Sequence, residues 1–249
     1  MDMKNLKTYR MFESVTELTR EQVQWLDDCT IGTWTLNPQT GLVDVDRFDC
    51  MGRGLTDLKG VKFGDVSGDF ECSDNALTSL MGAPQSVGRS FYCNRNDLTS
   101  LVGAPRRVGW DFWCSYNQLT SLEGSPQRVG RGFWCSNNAL TSLVGAPQEI
   151  NLDFDCCDNA LTSLEGAPLK VGEGFFYCED NPVSEKTLEK IFVKMKKKTS
   201  YLAAVESLWS RIPQDDQVLL YADDFKWVSP EQGRGLIALR AYQDLRGML

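Results

Sequence analysis

Seven cysteines recur along the middle of this sequence at intervals of 21 or 22 residues. Thiolates can bind zinc, form disulfides or act as nucleophiles, so such a regular series invites a chemical interpretation. The recurring thiols are Cys50, Cys72, Cys93, Cys114, Cys135, Cys156 and Cys178. Cys29 and Cys157 lie off this column. The chain has no histidine, so the thiols lack the usual general base and the usual partner in a mixed zinc site.

Two further groups carry reactive or charged side chains. Cys178 and Asp180 form a Cys-x-Asp arrangement, but Cys178 falls on the column, one residue late, which favours a packing role. Residues 184–198 hold six lysines against two glutamates, which is typical of a solvated helix end. Phosphate binding is the alternative for these lysines. Because no nucleophile is paired with a base, we expect no catalytic residue, no metal and no cofactor.

Aromatic and acidic residues recur at the same interval and form three rows. The residue directly before each cysteine reads Glu71, Tyr92, Trp113, Trp134 and Asp155, continued by Phe176 or Tyr177. Two positions after each cysteine the sequence reads Asp74, Arg95, Tyr116, Asn137 and Asp158. Three positions before each cysteine it reads Asp69, Ser90, Asp111, Gly132 and Asp153. Large aromatic rings bordered by charge are typical of protein interfaces, so these rows are the candidate binding site.

These three rows are positioned by a repeat of 21 residues. The first leucine of each "LTSL" phrase marks it, at Leu77, Leu98, Leu119, Leu140 and Leu161. A degenerate copy places Leu55 22 residues before Leu77, and "FFYCEDNP" ends the series. A fixed period of this size indicates a solenoid in which each coil packs only on its neighbours.

Each Phe-x-Cys segment predicts a short strand, with Phe and Cys facing the core and the residue between them facing out. Thiols stacked in parallel cannot converge on a zinc ion, and coils about 4.8 Å apart are too distant for disulfides. We therefore expect these cysteines to fill a narrow core as small apolar residues. The thiols of Cys29 and Cys157 are expected to be the more accessible ones.

Two polar features separate the strands. An asparagine column, Asn75, Asn96, Asn117, Asn138, Asn159 and Asn181, is expected to satisfy backbone groups where the chain leaves each strand. The return path reads Gly-Ala-Pro-x-x-Val-Gly, and we expect its second glycine, for example Gly109, to adopt a positive φ. Asn151 occupies that position in one coil and tolerates the left-handed region best among the other residues.

The phrase "FWCSNNALTSL" resembles the L-x-L-x-x-N-x-L-x-x-L pattern of the leucine-rich repeat family, with Phe133 and Cys135 at two leucine positions. The resemblance implies a parallel β-sheet on a concave face. The pattern departs from the family upstream, where four steps rather than three separate Val108 from Phe112. The longer phrase LTSLxGAPxxVGxxFxC is similar to a group of bacteriophage and bacterial repeat proteins and, more distantly, to short-repeat bacterial effectors that inhibit or modify host proteins.

The sequence therefore predicts an α+β protein in three parts. Residues 1–47 form an N-terminal cap with a helix and a β-hairpin, in which Thr19 and Gln22 have capping-box spacing. Residues 48–181 form a leucine-rich-repeat-like solenoid of about six coils of 21 or 22 residues, with one parallel strand each. Residues 182–249 form a C-terminal helical domain that is expected to dock on the last coil.

Composition limits the partners. A net charge of −8 and a pI near 4.7 argue against nucleic acid or an anionic membrane as the default partner. No apolar run is long enough to cross a membrane. The first 15 residues are too charged for a signal peptide, so we expect a cytoplasmic protein with reduced thiols, in the host cytoplasm if a phage encodes it.

These observations predict a non-enzymatic protein–protein interaction module whose partner is a host or phage protein with a basic surface. The expected contact residues are Tyr92, Trp113, Tyr116 and Trp134, rimmed by Glu71, Asp74, Asp111, Asp153, Asp155 and Asp158. The bacteriophage resemblance implies an inhibitor used in counter-defence or host takeover. Four alternatives remain: ring stacking that only stabilises the sheet, a nucleic-acid mimic, an enzyme within the helical domain, or an oligomerising virion component.

Overall fold

One helix precedes the repeat. The computed structural model describes residues 18–168, 170–171, 176–178, 180–182 and 236–237. Helix α1 (Arg20–Cys29) begins with the predicted capping box, in which the Gln22 amide donates to Thr19 Oγ1 (3.2 Å) and the Thr19 amide donates to Gln22 Oε1 (2.9 Å). The helix buries Trp25 and Leu26, and the Trp25 ring meets Phe48 edge-on at 5.1 Å. The helix thus covers the apolar end of the first coil.

A β-hairpin follows the helix. Strands β1 (Thr30–Leu36) and β2 (Val43–Asp49) pair antiparallel. The connecting turn is closed by Asn37, whose Oδ1 accepts hydrogen bonds from the amides of Gln39 and Thr40. Alternate residues of β2 are buried, namely Val43, Val45 and Phe48 with one irregular step, so the hairpin forms the first layer of the core. The predicted helix and hairpin are both present.

The repeat folds into a parallel β-solenoid of about five coils, and each coil contributes two short strands rather than the one predicted. The first ladder contains β4 (Phe70–Glu71), β6 (Phe91–Tyr92), β8 (Phe112–Trp113), β10 (Phe133–Trp134), β12 (Phe154–Asp155) and β14 (Phe176–Tyr177). The second ladder contains β3 (Phe63–Val66), β5 (Ser86–Val87), β7 (Arg107–Val108), β9 (Arg128–Val129), β11 (Glu149–Ile150) and β13 (Lys170–Val171). Strand β2 pairs with both β3 and β4 and so joins the two ladders.

The extra strand explains the four-step spacing that separates this repeat from the leucine-rich pattern. Val108 and Phe112 are both buried, but they belong to different ladders, and the residues between them turn the corner. The sixth predicted coil runs into residues outside the described part of the chain. Of the predicted C-terminal helical domain, only Pro182 and strand β15 (Leu236–Ile237), which pairs antiparallel with β14, are described.

The core contains columns of identical residues, as predicted. Consecutive phenylalanine rings from Phe48 to Phe154 stack with centroids 5.2–5.6 Å apart. Cysteines from Cys50 to Cys156 lie beside them and are fully buried, as are the leucine columns that begin at Leu77 and Leu80. The inward orientation of Phe and Cys is confirmed.

The asparagine column also has its predicted role. Asn117 Nδ2 donates to the carbonyls of Cys93 and Cys114, each at 3.0 Å, and the Leu98 amide donates to Asn117 Oδ1 at 3.0 Å. The same pattern recurs from Asn75 to Asn159. Each side chain therefore satisfies backbone groups of its own coil and of the preceding one, which would otherwise be buried without partners.

The prediction for the second glycine is wrong. Gly88, Gly109 and Gly130 do not have a positive φ. Instead, a Cβ at Gly109 would collide with the carbonyl oxygen of Gly88 one coil earlier, so glycine is needed for close backbone approach. Asn151 fits the series for another reason, because its Nδ2 donates to the Gly130 carbonyl at 3.0 Å. Positive φ occurs in the first glycine of the Gly-Ala-Pro phrase, as at Gly103 (96°).

The expected exposure of the off-column thiols is confirmed for one residue only. Cys29 is 2% exposed because it ends helix α1 on its buried side, so the prediction for this thiol is wrong. Cys157 is half-buried, and so is Cys178 at the end of the column. Among the residues that the structure describes, no helix is both long and apolar enough to span a lipid bilayer.

Candidate interaction face

A row of aromatic rings runs along the outer side of the first ladder. Tyr92, Trp113 and Trp134 are direct neighbours in consecutive strands, and all three are half-buried rather than enclosed. The ring centroids of Trp113 and Trp134 are 4.6 Å apart with planes 11° from parallel, and Tyr92 lies 6.3 Å from Trp113. Tyr177 continues the row 6.5 Å from Trp134. We refer to these four rings as the aromatic stack.

Acidic residues interrupt and extend this row. Asp49 and Glu71 precede Tyr92 in the ladder, and Asp155 lies between Trp134 and Tyr177. The Ser73 amide donates to Glu71 Oε1 at 2.9 Å, and the Cys157 amide donates to Asp155 Oδ1 at 3.0 Å. Both carboxylates therefore cap the chain where it leaves the strand. This local role was not predicted from the sequence.

The pKa of Glu71 is raised, first because burial disfavours its charged form. Hydrogen bonds from Ser73 oppose this shift, and the negative charges of Asp49 and Asp74 add to it. Crowded carboxylates therefore stand at the N-terminal end of the aromatic stack. A cation placed there would relieve part of this repulsion.

The second row lies at the turn after each strand, in the left-handed conformation. Asp74, Tyr116 and Asp158 have φ values of 53°, 55° and 50°. Arg95 joins two of them, since its Nη1 is 3.6 Å from Asp74 Oδ1 and its Cζ lies 5.4 Å from the centre of the Tyr116 ring. Tyr116 is 52% exposed and is the most accessible aromatic residue of the predicted face.

The acidic end of this row is formed by Asp158 and Asp180, which follow one another in successive coils. Burial raises the pKa of Asp158, and the charges of Asp180 and Asp155 raise it further. Asn137 Nδ2 donates to Asp158 Oδ2 at 3.4 Å and opposes the shift. Negative charge is therefore concentrated at both ends of the face, with neutral aromatic rings between them.

The third row flanks the first on its other side. Asp111 Oδ1 accepts a hydrogen bond from the Gly132 amide (2.9 Å), and its Oδ2 lies 4.0 Å from Arg131 Nε. Asp153 is half-buried one coil beyond Gly132. Gly132 leaves room for the neighbouring indole, because a Cβ there would come within 2.7 Å of Trp134 Nε1. This nitrogen is buried and has no acceptor among the described residues.

All ten predicted site residues therefore fall on three adjacent rows of one face. Their alternation and their 21-residue spacing were sufficient to group them. The sequence left open whether Phe176 or Tyr177 continues the row, and the structure places Tyr177 there. It did not reveal that Asp49 extends the row at the other end. It also did not reveal that Arg89, Trp110 and Arg131 form a separate group at the corner between the ladders, although their 21-residue spacing is visible in the sequence.

The cysteine column shows no features of a reactive site. Burial raises the pKa values of Cys72, Cys93, Cys114, Cys135 and Cys156, which keeps these thiols protonated. Cys72 Sγ instead donates a hydrogen bond to the Tyr92 carbonyl at 3.1 Å. Within the described ranges, no cluster of cysteine and carboxylate side chains has the arrangement of a metal site.

Comparison with protein-family models and with curated proteins finds no match to this chain.

Proposed function

We propose that this protein is a non-enzymatic interaction module that binds a partner protein with a basic surface through the aromatic stack and Tyr116. The observation that supports this proposal is the position of the stack. Four large rings lie on the outer side of a ladder whose inner side is already filled by phenylalanine. The stack therefore adds apolar surface where the core does not need it.

Rigidity favours this use of the stack. The Trp113 and Trp134 rings cover each other at 4.6 Å, and the two tyrosines of the stack lie on them at 6.3 and 6.5 Å, so the four rings hold one another in a strip. A preorganised strip loses little side-chain entropy on binding, and aromatic residues are enriched among interface hot spots. The carboxylate of Asp155 within the stack, and those of Asp74 and Asp158 in the neighbouring row, would favour and orient a basic partner.

We also propose a fold family and a biological role. We place the solenoid with leucine-rich-repeat-like proteins because of the asparagine column and the leucine pair of each coil, although each coil carries a second strand. The motif resemblance to bacteriophage repeat proteins supports an inhibitor of a host protein, acting in counter-defence or host takeover. That biological role depends on the repeat motif and not on the geometry of the face.

A capture experiment with matched variants tests the proposed face. Wild-type protein, W113A/W134A and V102A/V144A are immobilised and exposed to bacterial lysate, and captured proteins are compared. Val102 and Val144 are exposed on a different side of the coil, so this variant removes apolar surface without touching the stack. We expect the tryptophan variant alone to lose captured proteins. Circular dichroism must show that it retains the wild-type fold.

Equal capture by all three proteins would contradict the proposal. It would favour the alternative that ring stacking only stabilises the ladder, since cross-strand aromatic pairs contribute stability of their own. Nucleic-acid mimicry makes a different prediction, because capture would then be abolished by salt but unaffected in W113A/W134A. The inward hydrogen bonds of Glu71, Asp111 and Asp155 count against mimicry, since they hold these carboxylates to the backbone.

A further inference from the structure

Five arginines cluster on the side of the solenoid that carries the second ladder and the corner between the ladders. They belong to three consecutive coils and all are exposed: Arg89, Arg106, Arg107, Arg128 and Arg131. Trp110 lies among them and is 41% exposed. We refer to these six residues as the arginine corner. A concentration of guanidinium groups is unexpected in a chain with a net charge of −8.

The ladder places two of these charges side by side. Arg107 and Arg128 are direct partners in strands β7 and β9, so their side chains leave the backbone about 4.8 Å apart. Like charges in this relation destabilise a sheet. Among the described residues, neither arginine forms an ion pair, and the same is true of Arg106 and Arg89.

Acidic residues mark the limits of the cluster. Glu149 follows Arg128 by one coil. Asp65 lies two coils before Arg107 and accepts a hydrogen bond from the Ser86 hydroxyl at 2.5 Å. Between these limits, a bound anion would offset the repulsion between the paired arginines, because one phosphate group can accept hydrogen bonds from two guanidinium groups.

At the corner between the ladders, two arginine side chains lie on either side of a tryptophan ring. Arg89, Trp110 and Arg131 occupy the same position in successive coils, and each amide donates to the carbonyl of the preceding one at 3.0 Å. Arg89 Cζ lies 4.9 Å and Arg131 Cζ 5.6 Å from the centre of the Trp110 ring. The indole therefore holds both guanidinium groups in place before any ligand arrives.

The next position in this column carries no side chain, although Arg47 borders it, since its Cβ would lie 3.3 Å from a Cβ added there. The residue that precedes Arg89 in the same column is Gly68, which has no side chain to cover the guanidinium group. A planar group could extend the stack at that position. Arginine side chains stack on nucleobases in complexes with single-stranded nucleic acids.

We propose that the arginine corner binds a short stretch of single-stranded nucleic acid. Its phosphates contact Arg106, Arg107 and Arg128, and a base extends the stack at Arg89. A nucleic acid is favoured over an acidic peptide because it supplies both phosphates and a base. Carboxylates would neutralise the paired arginines but would not stack on Arg89. Asp111 of the candidate face reaches Arg131 at 4.0 Å, but Arg106, Arg107 and Arg128 form no ion pair among the described residues.

Fluorescence anisotropy with the full-length protein tests the proposal. The probes are a labelled 12-nucleotide oligothymidylate and an abasic 12-mer with the same phosphates, titrated at several salt concentrations. We expect the oligothymidylate to bind wild type, and R107Q/R128Q to weaken binding at least tenfold. Loss of two phosphate contacts also lowers the slope of log affinity against log salt by about 1.4. The abasic strand is expected to bind several-fold more weakly than the oligothymidylate.

Two controls carry the same change in charge. R20Q/K62Q removes two exposed cations that are not part of the corner, and K196Q/K197Q removes two of the six lysines in residues 184–198. Both are expected to bind within twofold of wild type. Equal loss in either control, or no binding by wild type at low salt, overturns the proposal.

Competition separates the other ligands. If polyglutamate of matched charge displaces the oligonucleotide equally well, the occupant is an acidic protein segment and the assignment is wrong. If inorganic phosphate alone does so at millimolar concentration, the corner is an anion site without strand specificity, and this also overturns it. Equal affinity for the abasic strand refutes the base position at Arg89. Because W113A/W134A leaves the corner intact, failure here is separable from failure of the proposed protein interface.

Discussion

Single residues in this protein act mainly by replacing missing backbone partners. Each coil leaves its strand through an irregular turn, where buried carbonyls and amides would lack hydrogen bonds. One asparagine per coil satisfies them, as Asn117 does for Cys93, Cys114 and Leu98. The cysteine that precedes it in each coil is fully buried and packs in the core as a small apolar residue. In each coil, the cysteine therefore packs in the core, and the asparagine three positions later satisfies the backbone groups of the turn.

The buried thiols predict a loss of stability in alkali. Folding raises their pKa above the unfolded value of about 8.5, so their contribution is fully present below that pH and is lost as the pH rises. Each buried thiol steepens the fall by up to about 1.4 kcal/mol per pH unit. We expect C114A to show a shallower decline than wild type in urea unfolding between pH 8 and pH 10.

The comparison with C157A isolates the effect of burial. Cys157 is half-buried whereas Cys114 is enclosed, so we expect removal of Cys157 to change the slope less than C114A does. If C114A and wild type decline in parallel, burial of this thiol does not account for the loss of stability in alkali. Lysine and tyrosine titration at high pH affects all three proteins alike.

Strands were predicted correctly where two core-facing residues mark them. The Phe-x-Cys pair and the asparagine that follows it fixed the orientation of the first ladder and grouped all ten candidate site residues on one face. The second ladder was missed because each of its strands from β5 onward contributes one core residue, such as Val108, and a single apolar residue has no periodicity. The arginine corner was missed because it lies partly on that ladder.

The role of the second glycine was misread for a related reason. A sequence cannot distinguish a glycine that needs positive φ from one that needs space, because both require the absence of a Cβ. Only the packing of Gly109 against the Gly88 carbonyl decides between them. The tolerance of Asn at position 151 fitted either explanation.

Close approach of coils at these glycines predicts a strong effect of one methyl group. G109A retains a permitted φ but places Cβ against the Gly88 carbonyl oxygen, so the coils must move apart. Gly54 is the matched control, since its φ is 65° and a Cβ added there would have no atom within 4 Å. We expect G54A to cost about 1 kcal/mol from backbone strain alone. G109A should cost at least about 2 kcal/mol more in urea unfolding. Equal costs would show that these glycines do not set the spacing.

At the scale of the whole molecule, the coils behave as interchangeable units. Each hydrogen bond of a ladder joins adjacent coils, and the phenylalanine, leucine and asparagine columns repeat the same contacts at every step. Stability in such an architecture is approximately a sum of coil and interface contributions. Charge and ring size vary only on the outside, so different surfaces can be built on one constant core.

This interchangeability predicts that one whole coil can be removed. Deletion of residues 119–139 joins Gln118 to Leu140, and Leu140 then takes the place of Leu119, with its amide already donating to Asn159 Oδ1. We expect the shortened chain to keep the wild-type circular dichroism spectrum and to unfold cooperatively, with a smaller urea m-value because less surface is buried. Deletion of residues 119–128 is the control, because it breaks the period and turns the following phenylalanines out of register. The control should lose cooperative unfolding. If the 21-residue deletion loses it as well, the coils are not equivalent and their order along the chain matters for folding.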